Sequence, residues 1–149
     1  MTGERSDDAT GLTPTAIGTL RAALRAEHAA VYLLAVLASR AQSAALGAAL
    51  TDAYGAHRAA RDQLLARLDA LGDSMPPGAA PAYDLPPGLG SDAGLRAAAL
   101  VIEQRAAAGY ADQVAATVGE DRARAIGWLD AAAVRQLRFG GAPAELPGL

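Results

Sequence analysis

Residues 72–90 read GDSMPPGAAPAYDLPPGLG, and they decide how the rest of the chain can be arranged. Two Pro-Pro pairs remove backbone donors and fix φ, and glycines stand among them, so a helix cannot pass through. Extended at about 3 Å per residue, the stretch can cross the roughly 40 Å of a helix of about 27 residues. A link of that reach returns the chain to the far end of whatever precedes it.

Both flanks read as helix. From Thr13 and Pro14, a suitable start, to about Gln42, the residues Ile17, Leu20, Leu24, Val31, Leu34 and Leu37 recur at threes and fours. Glu27 fills the step before Val31. A short break over 42–47 leads to a second run ending near Leu71, where Leu50, Tyr54, His57, Arg61, Leu64, Leu68 and Leu71 alternate by four and three. So short a connection makes these two helices antiparallel neighbours.

Beyond the Pro-rich stretch, Ser91 and Asp92 cap a third helix that runs to about Val118. It carries Leu95, Ala99, Ile102, Ala106, Tyr110 and Val114 inward, with Glu103 beside them. Gly119 interrupts it. Glu120 and Asp121 suit the positive end of a fourth helix, which passes through Ile126, Trp128, Leu129, Ala133 and Leu137 to Phe139 and stops at Gly140 and Gly141. The expected organisation is a flexible tail at 1–12, one all-α antiparallel four-helix bundle at 13–139 and a C-terminal tail at 140–149. The crossover occupies 72–91, and the C-terminal tail is expected on the bundle surface or on a second subunit. Two hairpins joined by one long crossover is the connectivity that separates ferritin-like bundles from simple up-down ones.

Composition agrees with one helical domain. The chain has 149 residues, aromatics make up 4%, and alanine is about a quarter of the total, a balance that favours helix over sheet. The net charge is -3 with acids and arginines interspersed, so no basic stripe invites nucleic acid. All thirteen basic residues are arginine, which reads as codon bias of a GC-rich genome. Absence of cysteine removes disulfides, thiol nucleophiles and thiolate metal sites. The start, MTGERSDDATGLTP, has no apolar core of a signal peptide, and no stretch of membrane-spanning length is free of charge. The expectation is a soluble, cytoplasmic protein without a membrane partner.

The chemistry rests on Glu27, His57 and Glu103. Each falls on or beside an apolar seam, where a charge needs a partner, a metal or a proton. In a carboxylate-bridged di-metal bundle, two helices each give one glutamate and two give Glu-x-x-His, because residues three apart share a face. Here the first helix supplies Glu27, the third Glu103 and the second His57, with Tyr54 where the partner glutamate belongs. The fourth offers Asp130, followed three residues later by Ala133. Three of six ligands are present, with Tyr54 and Asp130 as supplements, which leaves too few donors for a bridged pair. One divalent ion, iron or manganese, held by Glu27, His57 and Glu103 is the favoured metal reading, ahead of a catalytic di-metal site. Without it they form a buried hydrogen-bonded cluster completed by Tyr54, Tyr110 or Arg61, with Arg61 the best counter-ion. His28, about 100° round the helix from Glu27, is expected at the surface or an interface.

Several segments carry a resemblance: Ala26-Glu27-His28-Ala29-Ala30-Val31-Tyr32, Ala56-His57-Arg58-Ala59-Ala60-Arg61-Asp62, Pro81-Ala82-Tyr83-Asp84-Leu85-Pro86, Glu103 with Tyr110, and the ending from Phe139. Together they resemble the ferritin-like domains of unknown function found widely in actinobacteria, over nearly the whole chain from about residue 15. The resemblance implies a ferritin-like four-helix bundle and brings no established reaction with it. The leading expectation is a non-catalytic structural or binding protein with a depleted metal site. The alternatives are an iron- or manganese-dependent oxidase, with Tyr110 as hydrogen-bond or electron donor, and a small-ligand carrier with an apolar cavity between helices. Ala-rich helix faces, Trp128 and an apolar tail suggest a homodimer.

Overall fold

A computed structural model describes residues 12–149; of the expected tail over 1–12, residues 1–11 lie outside the described residues, and Leu12 packs against the bundle. Among the described residues there are four helices and no strand: α1 (Pro14–Arg40), α2 (Ala44–Ala70), α3 (Asp92–Ala116) and α4 (Gly119–Arg138). The starts have local causes. Thr13, Ser43 and Ser91 each accept a hydrogen bond from the backbone N–H three residues on, and Pro14 opens α1 where its missing donor costs nothing. Ser43 thereby starts α2 earlier than the expected break over 42–47 allows, and Gly47 sits inside the helix.

Asp92 sets the topology. Its carboxylate accepts from the backbone N–H of Gln42 at 2.8 Å and of Ser43 at 3.0 Å, which pins the start of α3 to the α1–α2 turn. Hence α3 runs parallel to α2 and antiparallel to α1, and the crossover must travel the length of the bundle. It does so along one outer stripe of α1. Arg21 binds Asp73 and, at 3.0 Å, the carbonyl of Met75; His28 Nε2 meets the carbonyl of Pro77 at 3.0 Å. Tyr32 then packs on Tyr83, with ring centroids 5.3 Å apart, and the Gln42 side chain donates to Gly90 O at 3.1 Å. His28 is therefore a fastening for the crossover. At the other end of the bundle, Arg67 of α2 grips Asp121 in the first turn of α4 through both Nε and Nη2, and Arg124 joins them at 3.2 Å.

Two apolar cores fill the ends. Leu34, Leu37, Leu46, Leu50, Leu95 and Phe139 pack near the start of α3, and Leu20, Leu24, Leu64 and Leu68 pack at the opposite end. Ala106, Ala107, Tyr110 and Ala132 join α3 to α4. The helix α1 is apolar enough to span a membrane by length and composition, with a mean hydropathy of 1.3, and its inner stripe packs into these cores. The C-terminal tail lies on the chain's own α3, with Gly148 against the carbonyl of Ala107.

Two inner faces differ from the sequence expectation by one position. In α2 the buried seam is Leu46, Leu50, Ala53, His57, Ala60, Leu64 and Leu68, so Ala53 and Ala60 point inward while Tyr54 and Arg61 stand on the flank. In α4 the buried positions are Asp121, Ala125 and Ala132, leading on to Phe139, and Ile126, Val134 and Leu137 are exposed. Only those positions slip, each by one residue or about 100°; Leu50, His57, Leu64 and Leu68 keep the expected seam of α2, and Trp128, Leu129 and Phe139 stay packed inward.

Gly94 marks the closest approach of crossover to helix. A Cβ there would lie 1.8 Å from the carbonyl oxygen of Gly88. Gly94→Ala must push the crossover off α3, at an expected cost of about 1–3 kcal/mol in chemical denaturation; an unchanged midpoint would show that the segment is not held there.

Candidate functional site

Between the two end cores the seam turns polar. Glu27 of α1, His57 of α2 and Glu103 of α3 converge there, none more than 1% exposed. His57 Nδ1 lies 2.6 Å from Oε2 of Glu27, and its Nε2 lies 3.2 Å from Oε1 of Glu103. An imidazole facing a carboxylate oxygen at each nitrogen satisfies both only when it carries two protons. The ring is therefore an imidazolium donating to both acids. Burial by itself lowers the pKa of His57; hydrogen bonds and charges from Glu103 and Glu27 overcome it and raise the value to about 9.

Two more side chains close the ends of this row. Tyr110 of α3 donates its hydroxyl to Oε1 of Glu27. Arg135 of α4 donates from Nε to Oε1 of Glu103 at 2.9 Å. Two carboxylates are thus balanced by an imidazolium and a partly buried guanidinium, which is what makes the buried charges tolerable in a medium of low polarity. Burial first, and then the charge of Glu27, push the Tyr110 hydroxyl well above the usual phenol range, so it stays a donor. Its ring packs on Trp128 with centroids 5.5 Å apart. Among the described residues, Oε2 of Glu103 is the one oxygen in the row that is buried without a protein partner.

Glu27, His57, Glu103 and Tyr110 are brought together as their spacing suggests, and three other expected residues are not. Arg61 turns outward to Asp62 at 2.7 Å. Tyr54 is half-buried on the flank of α2, with the Arg58 guanidinium 5.6 Å from its ring centroid. Asp130 is exposed on the outer side of α4. The counter-ion assigned to Arg61 is instead Arg135, which the sequence reading passed over. Its signal was present: Asp121, Ala125, Trp128, Ala132, Arg135 and Phe139 alternate by four and three, the same pattern that marks the other seams. Alanine at two of those positions hid it.

Because the folded pKa of His57 lies above the ordinary 6.5, the folded chain binds that proton more tightly than the unfolded one. Its stabilisation is complete below about pH 6.5 and disappears as pH rises through about 9, a loss of roughly 3 kcal/mol. The unfolding free energy of the wild type should fall over that window. His57→Gln should be less stable at pH 6 and lose this slope; identical slopes in the two proteins would assign the titration elsewhere. Tyr110→Phe, which strips one donor from a buried carboxylate, should cost about 1–3 kcal/mol at pH 7 by denaturant titration.

The helical frame and the row of charges can be set beside known proteins. The crystal structure of a conserved hypothetical protein, Rv2844, from Mycobacterium tuberculosis is similar, with a TM-score of 0.77 and 28% identity, covering 84% of this chain and 87% of that one. A comparison with curated proteins finds no match. Residues 19–149 match the family described as a domain of unknown function, DUF4439, and the chain belongs to that family.

Proposed function

We propose that this chain is a ferritin-like bundle that works as a non-catalytic structural or binding protein, in which a proton on His57 and the guanidinium of Arg135 stand where metal ions would otherwise balance Glu27 and Glu103. The single long crossover between two hairpins supports the ferritin-like part of this reading. The observation that carries the rest is the Arg135 bond to Glu103 at 2.9 Å, made while His57 engages both acids at once.

The donor set does not fit a bridged metal pair. A metal needs the lone pair of an imidazole nitrogen, and both nitrogens of His57 are directed at carboxylates as donors. A fixed guanidinium beside Glu103 repels a second cation. Tyr54 and Asp130, the supplementary donors, sit outside the cluster. An iron or manganese oxidase would require displacement of Arg135 and loss of the imidazolium before its ion could settle.

The proposed setting is the cytoplasm, with a second copy of the chain as partner. The apolar outer face of α4, where Ile126, Val134 and Leu137 are exposed, supports self-association better than Trp128, which packs on Tyr110 within the chain. Sedimentation of a monomer at high concentration would remove the homodimer.

Elemental analysis of protein purified without a metal-affinity tag should find no stoichiometric iron, manganese or zinc. Adding ferrous or manganous ion to chelator-treated protein should leave Tm unchanged. Arg135→Gln, which deprives Glu103 of its cation, should cost about 3 kcal/mol or more. Near-stoichiometric metal that is lost in Glu27→Ala and His57→Ala would replace this reading with the metalloenzyme one.

A further inference from the structure

The second half of the crossover does not lie flat on the bundle. Between it and α3 runs a groove of about 490 Å³, with Leu33, Ala98, Val101 and Ile102 on its floor and Leu85 and Pro87 on its wall. That volume is within the range that takes small organic ligands. The groove stays open for a chemical reason. His28 fastens the crossover at Pro77 and Gln42 fastens it again at Gly90, and between them Pro86 and Pro87 have no N–H to offer. Leu85 and Val101 both line this apolar slot and are each left 43% exposed.

One cation serves this slot. Arg105 lines the groove and also a smaller hollow of about 90 Å³ between α1 and α3, so it stands where the two meet. Several other arginines, among them Arg25, Arg40, Arg58, Arg96 and Arg122, also stand outside the ion pairs of the described residues, but Arg105 is the arginine that lines this groove. Among the described residues Arg105 has neither an ion-pair nor a hydrogen-bond partner. An apolar floor ending in an unpaired, planar guanidinium is complementary to a molecule with an aliphatic or aromatic body and a carboxylate at one end. Asp84 lines the same groove and disfavours ligands with several negative charges.

We propose that the groove between the Pro-rich crossover and α3 binds a small amphipathic carboxylate, its apolar body on Leu33, Val101, Ile102 and Leu85 and its carboxylate on Arg105. The proposal deepens the binding side of the function proposed above. It does not depend on the state of the Glu27–His57–Glu103 row, whose failure would appear as bound metal and not as lost ligand.

Isothermal titration calorimetry of the full chain with octanoate, 1-octanol and octylammonium tests it. The expected result is saturable octanoate binding at one site, roughly tenfold or more tighter than either of the others. Arg105→Gln should bring octanoate down to the level of 1-octanol without changing Tm, because Arg105 is exposed and unpaired. Val101→Glu should abolish both. Equal affinity for the three probes, no saturable binding, or octanoate binding that survives Arg105→Gln would each overturn the proposal.

Discussion

A histidine placed between two buried glutamates has few stable options, and the bundle is organised around the one it takes. With both nitrogens facing carboxylate oxygens, His57 must hold two protons, and one imidazolium cannot balance two anions. A second positive charge has to come from somewhere. Arg135 brings it from α4, and Tyr110 donates to the remaining oxygen of Glu27. The row therefore links all four helices, and the apolar cores on either side are built from residues further along the same seams. Removing any charged member leaves the remaining buried charges unbalanced, a larger penalty than the loss of one hydrogen bond.

This balance also explains why the chain reads as half of a metal centre. The residue types that grip a divalent ion, two carboxylates and an imidazole, are equally able to form a neutral cluster with a guanidinium. Which of the two forms depends on what the fourth helix supplies. Here it supplies a base where the di-metal template calls for an acid and a histidine, and Asp130, the acid that is present, faces outward. A guanidinium and a bound cation would compete for the same oxygen.

The crossover adds a second layer of organisation with a different physical basis. Its ends are hydrogen-bonded to α1 and to the α1–α2 turn, and its middle, rich in proline, can be held only by packing. A segment fastened at its ends and unable to form backbone ladders bridges a hollow instead of filling it. The apolar groove beside α3 follows from that composition together with Gly94, which lets Gly88 approach the helix at one end.

Much of this was legible in the sequence. Helix number, the two hairpins, the crossover, and the convergence of Glu27, His57, Glu103 and Tyr110 follow from proline chemistry and from periodicities that large apolar residues make plain. What failed to show were the alanine positions on the inner faces of α2 and α4. In a chain where alanine is about a quarter of the residues, an inward Ala53, Ala60, Ala125 or Ala132 looks the same as an outward one, and the eye follows Tyr54, Arg61, Ile126 and Leu137 instead. Only packing resolves such a tie, because small side chains face the interior where helices come close and larger ones are driven to the flank. By itself the sequence determined that Glu27, His57 and Glu103 would be buried; the tertiary structure decided that Arg135, and not Arg61, would neutralise them.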